Sequence, residues 1–209
     1  MKIAIFGGTG RTGQHLVQEA LSKGHQVVAL ARTPSKLSVK NPSLSVIQGD
    51  VTNAQAVEHT ITGVEAVISV LGPTNNEPTF EVSQGMTNIL AAMKKQGVRR
   101  LIISAGAGVG DPNDAPKLFN HVMNFLLKVM AKNVLADMSK VVELVRTSDL
   151  EWTVVRLPML TDDPKTGNVK VGYVGKGMGS RIARTDIADF MLAQLSDKTY
   201  VRKSPAISN

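Results

Sequence analysis

The sequence has no cysteine, and only 4% of its residues are aromatic. The first absence excludes disulfides, thiolate nucleophiles and cysteine-ligated metals, and suits a reducing, cytoplasmic setting. The second leaves few surfaces on which nucleic-acid bases could stack. That matters because the net charge is +7. The basic residues are dispersed, with only short pairs such as Lys94-Lys95 and Arg99-Arg100. The surplus therefore reads as an anionic ligand plus surface charge, with no specific nucleic-acid partner. The histidines His15, His25, His59 and His121 show no metal-ligand spacing, so no metal is expected.

Long hydrophobic runs are missing too. The most apolar stretch, LFNHVMNFLLKVMAKNVL, is broken by His121, Asn124, Lys128 and Lys132. It suits a buried helix and not a membrane span. The opening MKIAIF meets glycine too soon for a signal-peptide core. A chain of 209 residues is most economically one domain, 1–209, with about 157–209 forming a small lobe on the substrate side. A monomer or small homo-oligomer is expected.

What is present is an alternation of short β-like and longer helical runs. Strands are expected at Lys2–Phe6, Gln26–Ala31, Leu44–Gln48, Glu65–Leu71, Arg99–Ser104 and Leu150–Pro158. Helices are expected at Thr12–Lys23, 51–61, 80–97, about 116–146, and a final one capped by Thr185, with Asp186 and Asp189 favouring its N-terminus. Gly24 reads as the stop of the first helix. The strands are continuously apolar rather than alternating, as a parallel sheet covered on both faces requires. The fold class is therefore α/β, a doubly wound, mostly parallel sheet with right-handed crossovers.

The first strand runs into FGGTGRTG, in which Gly7, Gly10 and Gly13 fit GxxGxxG, and Gly8, Gly10 and Gly13 fit GxGxxG. Such a loop after a strand and before a helix seats a dinucleotide diphosphate: it turns tightly, lets a pyrophosphate approach the backbone, and packs helix on strand. The helix N-terminus offers unpaired N–H groups and a positive dipole end to the phosphates. NAD-specific sites place an acid about 20 residues further on, at the ribose 2′-hydroxyl. Here Arg32 ends the second strand, followed by TPSK, and no acid occupies that turn. A planar, permanently charged guanidinium suits a 2′-phosphate, and Lys36 adds a second charge, so NADP(H) is the expected cofactor. Asp50, in the Gly49–Val51 stretch after the third strand, is placed either to accept from the adenine amino group or, like Thr52, to cap the next helix.

Taken together, the glycine loop, Arg32, GDV, LG and the C-terminal RIARTDIADFML resemble the atypical short-chain dehydrogenase/reductases. Within them the chain is most similar to the flavin reductase/biliverdin-IXβ reductase group, with NmrA-like nucleotide-binding proteins as neighbours. The resemblance spans nearly the whole chain and implies a Rossmann fold. It implies that Gly7, Thr9, Gly10, Arg11, Thr12 and Gly13 hold the diphosphate, and that Arg32 and Lys36 hold the 2′-phosphate. Asp50 and Val51 would lie by the adenine, and Leu71, Gly72 and Pro73 along the riboses. Ser104, Pro158 and Met159 would flank the nicotinamide.

The chain departs from that pattern twice. Tyr173 and Tyr200 are followed four residues on by Gly177 and Ser204, so the Tyr-x-x-x-Lys pair of conventional short-chain dehydrogenases is absent. Met159 stands where flavin and biliverdin reductases carry a histidine. The expected chemistry is hydride transfer from NADPH to a flavin- or quinone-like planar acceptor that takes its proton from solvent. The alternative is a non-catalytic NADP(H) sensor of the NmrA type. Ser104 reads either as a donor to the nicotinamide amide or acceptor, or as a serine capping its own loop. Met123, Met130 and Met138 suit an acceptor pocket, a core stripe or a subunit interface, while Lys140 and Glu143 read as a solvated face.

Overall fold

The computed structural model describes residues 1–116 and 129–209. Its apolar runs form β1 (Lys2–Phe6), β2 (Gln26–Ala31), β3 (Leu44–Gln48), β4 (Ala66–Ser69), β5 (Arg100–Gly106) and β6 (Glu151–Leu157). They are joined by α1 (Arg11–Ser22), α2 (Ala54–Ile61), α3 (Glu81–Gln96) and α4 (Lys132–Arg146). After β6 come β7 (Met159–Thr161), β8 (Lys170–Gly172), β9 (Arg181–Ala183), α5 (Arg184–Ala193) and β10 (Ala206–Ser208). One eight-stranded sheet has the order β3-β2-β1-β4-β5-β6-β10-β8. Every pairing in it is parallel except β8 against β10. This is the doubly wound Rossmann architecture, with the order reversing beside β1. Of the segment expected as a lobe, β8 and β10 extend the main sheet, while β7 and β9 pair with each other.

Alternate side chains of each strand feed two cores. Ala4 and Phe6 pack with Val57, Met86, Met93 and Val142 from α2, α3 and α4. Ile3 and Ile5 pack with Leu16, Val17, Ile187 and Met191 from α1 and α5. With both faces covered, β4 is buried at every position.

β1, β2 and β3 lie where the apolar runs put them, and α1 is shifted by one residue. β4 is shorter than its run, and β5 continues two residues past Ser104, paired along its length with β6. Helix α2 begins later than its pattern because Asn53, not Asp50 or Thr52, caps it, accepting from the N–H groups of Gln55 and Ala56. Thr185 is not a cap either. β9 runs straight into α5, Ala183 takes the N-cap position, and the buried Thr185 hydroxyl has no hydrogen-bond partner among the described residues. Met138 is core and Met130 is exposed, whereas His121 and Met123 lie outside the described residues. Lys140 and Glu143 are exposed, as a solvated face requires.

Candidate functional site

The loop between β1 and α1 is shaped by what its glycines lack. Gly7 has φ +84°, and a Cβ there would sit 2.9 Å from the Val70 carbonyl at the end of β4. A Cβ on Gly13 would fall 2.0 Å from the Gly7 carbonyl oxygen. The first turn of α1 is thus pressed onto the loop, which closes through Gly10 N–H donating to Gly7 O at 3.0 Å. Gly10 occupies the N-cap position without a side chain to cap the helix, and the first turn holds no acid. The N–H donors at the start of α1 therefore keep no protein acceptor from a cap. Arg11, Thr12 and Gly13 form that turn. The Arg11 guanidinium is paired with Asp162, which also holds Arg184 at 2.7 Å.

A cleft of about 250 Å³ opens beside this loop at the carboxyl ends of β1 to β4. It is lined by Gly7, Thr9, Arg32, Asp50, Val51, Leu71, Gly72 and Pro73, all named from the sequence. Glu81, Asn133 and Asp137 also line it, and sequence reasoning missed them. Arg32 projects between two carboxylates, its Nε 3.8 Å from Asp50 and its Nη1 3.8 Å from Glu81. The Asp50 Oδ1 accepts from Thr52 N–H at 2.8 Å and from the Thr52 hydroxyl at 2.7 Å. Those two bonds, with Arg32 nearby, hold the Asp50 carboxyl below its ordinary range. Lys36 stands apart from the cleft lining, exposed on the turn Pro34–Lys36.

The roof of the cleft, 71–80, is fastened by side chains from distant helices. Asp137 of α4 is buried and accepts from the N–H groups of Val82 and Ser83, capping α3 from outside. Asn76 reciprocates. Its Oδ1 accepts from Asn133 N–H at 3.0 Å and from Val134 N–H at 3.3 Å, capping α4. Phe80 turns the chain into α3 with φ 52°, a left-handed conformation few aromatic residues adopt. Lower down, Gly85 lets α3 approach the sheet, since a Cβ there would lie 2.5 Å from the Val51 side chain. Gly72 has open space around it.

Ser104, Pro158 and Met159 do not line this cleft; they lie at the carboxyl ends of β5 and β6. Ser104 pairs in register with Val155, and Met159 is 59% exposed at the start of β7. Behind them the loop 106–116 is tied down by Arg156, which is fully buried on β6. Its guanidinium grips Asp114 through two bonds, at 2.6 and 2.8 Å, and its Nε donates to Ser204 O. Burial pushes the Asp114 carboxyl up, but the Arg156 bonds and the N–H groups of Asp111 and Val174 outweigh it and hold it below the usual range. Tyr173 lies with its ring 6.0 Å from the Arg156 guanidinium.

The donor set fits a dinucleotide: a loop with no room for a Cβ at Gly7 or Gly13, helix donors without a cap, and a guanidinium where a ribose is read. Among the described residues no cluster of His, Asp and Glu could hold a metal ion, and no helix is long and apolar enough to cross a membrane.

Comparison with known proteins points the same way. A family model described as NAD(P)H-binding matches residues 7–198. The oxidoreductase aflX of Aspergillus parasiticus is 29% identical over 95% of this chain and 80% of its own length. Several further relatives match over 52% of this chain and only 32% of theirs. Among solved structures, the oxidoreductase ylbE of Lactococcus lactis superposes with a TM-score of 0.83, covering 100% of this chain and 91% of that one at 19% identity. A short-chain dehydrogenase/reductase of Veillonella parvula, solved in complex with NADP, gives a TM-score of 0.80 over 100% and 94% of the two chains, also at 19% identity.

Proposed function

The chain belongs to the NAD(P)H-binding family, and from that premise we propose that it is an NADPH-dependent reductase of flavin- or quinone-like planar acceptors. The observation that carries this reading is an uncapped α1 beside the cleft that Arg32 lines. The N–H groups of the α1 first turn, with Gly7 and Thr9, would hold the diphosphate. Arg32, assisted by Lys36, would take the 2′-phosphate in charge-assisted hydrogen bonds. One oxygen of Asp50 is committed to Thr52, which leaves Oδ2 for the adenine amino group beside Val51. Leu71, Gly72 and Pro73 would flank the riboses, the open space at Gly72 admitting a sugar.

When bound, the nicotinamide supplies the hydride. The protein's part is to orient it, through Ser104 and the Pro158–Met159 turn, and to leave a face for the acceptor. None of those three side chains is an acid at neutral pH, which favours an acceptor that collects its proton from water. Residues 1–209 would act as a single domain, with 157–209 supplying the acceptor side.

The test is NADPH absorbance decay with riboflavin, flavin mononucleotide and a quinone. Consumption above background with one of them is expected. No consumption by any, with NADPH and NADP⁺ still bound, would replace the reductase with a non-catalytic NADP(H) sensor.

A further inference from the structure

Arg32 does not stand alone in reading the ribose. Glu81 faces it across the cleft with Oε2 3.8 Å from Nη1, within ion-pair range but beyond hydrogen bonding. Asp50 approaches from the other side at the same distance, with one oxygen committed to Thr52. Glu81 is not committed: among the described residues no donor hydrogen-bonds its carboxylate, and Asp137 already takes the Val82 and Ser83 N–H groups beside it. Its side chain is half exposed, and it is the first residue of α3.

We propose that Glu81 is a specificity-determining residue that tempers the preference for a 2′-phosphate over a 2′-hydroxyl. The inference rests on the reading of Arg32 as the 2′-phosphate ligand. A phosphate drawn to Arg32 brings about two negative charges to within a few ångströms of the Glu81 carboxylate and competes with it for the same guanidinium. A 2′-hydroxyl suffers no such repulsion and can donate a hydrogen bond to either carboxylate. Glu81 thus lowers affinity for NADPH while leaving NADH unaffected or aided. A site with Arg32 alone would discriminate more sharply than this one does.

The experiment measures dissociation constants for NADPH, NADH, 2′,5′-ADP and 5′-AMP by titration calorimetry on wild type, E81Q, E81A and R32A. Thermal melts identify any variant that fails to fold. Glu81→Gln should tighten NADPH and 2′,5′-ADP about three- to ten-fold at low salt and leave NADH and 5′-AMP within about two-fold. The gain should shrink in 0.5 M NaCl, where the Debye length falls to about 4 Å. Glu81→Ala should behave alike, since the effect comes from charge. If Arg32→Ala weakens NADPH selectively but neither Glu81 variant tightens it, Glu81 is only the first residue of a helix. If Arg32→Ala leaves the NADPH/NADH ratio unchanged, the 2′-phosphate reading falls and the role of Glu81 falls with it.

Discussion

On the glycine-loop side of the cleft, main chain meets main chain: Gly7 lies against Val70 and Leu71, and Gly13 against the Gly7 carbonyl. On the side where β5 and β6 end, side chains do that work. A fully buried guanidinium and a carboxylate hold the loop 106–116, and Arg146, paired with Asp111 at 2.7 Å, reinforces it. The first construction tolerates no added atom but needs no charge. The second tolerates variation in shape but depends on two opposite charges staying buried together. The contact-making loop can thus stay fixed in form while the other loop is free to vary.

The largest test of that contrast removes one charge. Asp114→Ala leaves Arg156 buried without its partner and should cost about 3–5 kcal/mol of stability in urea unfolding. The Asp114→Leu, Arg156→Met double variant should recover most of it. Because the Asp114 carboxyl is held below its ordinary value, its contribution is present above the unfolded-state value and is lost as pH falls through the folded one. Acid unfolding of the wild type should therefore steepen below the ordinary carboxylate range, and Asp114→Asn should flatten that limb. The cofactor affinity of folded Asp114→Ala should change by less than about three-fold; a loss as large as that in stability would mean the two sides are not separable.

Next in size is Gly13→Ala, whose Cβ meets backbone that cannot step aside. It should destabilise by about 1–3 kcal/mol or more and abolish measurable NADPH binding. Gly72→Ala, facing open space, should keep wild-type stability within about 0.5 kcal/mol. Equal stability losses at the two glycines would show that the loop's tightness is not what matters. The smallest effect is expected at Ser104→Ala: less than about ten-fold on kcat with the cofactor dissociation constant unchanged, as one neutral hydrogen bond allows. No change in either would leave Ser104 as a strand residue only.

The same division explains what could be read from the sequence. Continuous apolar runs between turn residues located β1 and β2, because burial on both faces leaves a pattern that needs no knowledge of partners, and β3, half-buried at the sheet edge, was marked by its Leu44, Val46 and Ile47. Arg32 was legible through its spacing from the glycine loop, a distance along the chain that the βαβ unit converts into a place in space. Glu81 carries no such spacing, since its approach to Arg32 depends on where α3 crosses the sheet. Asp137 accepts from Val82, 55 residues earlier in the chain, and no local pattern marks it as a cap. Thr185 looked like a cap because an acid and an apolar run follow it. The carboxylate that seemed to belong to that helix start, Asp186, instead receives the N–H groups of Thr166 and Gly167. Arg156 sits in a strand run whose neighbours are all apolar, where only the fold shows that a carboxylate reaches it.

The helix starts carry one more consequence. Asn53, Asp137 and Asn76 supply acceptors to α2, α3 and α4, and α5 has Asp186 in its first turn. Among the described α-helices, then, the first turn of α1 is the one left with neither a capping side chain nor an acid in it. On the function proposed above, a polyanion would land there whatever sugar or base it carries. Selection among nucleotides would then be left to the groups arranged around that point, and variation at Arg32 or Glu81 would change the choice of nucleotide without moving where it docks.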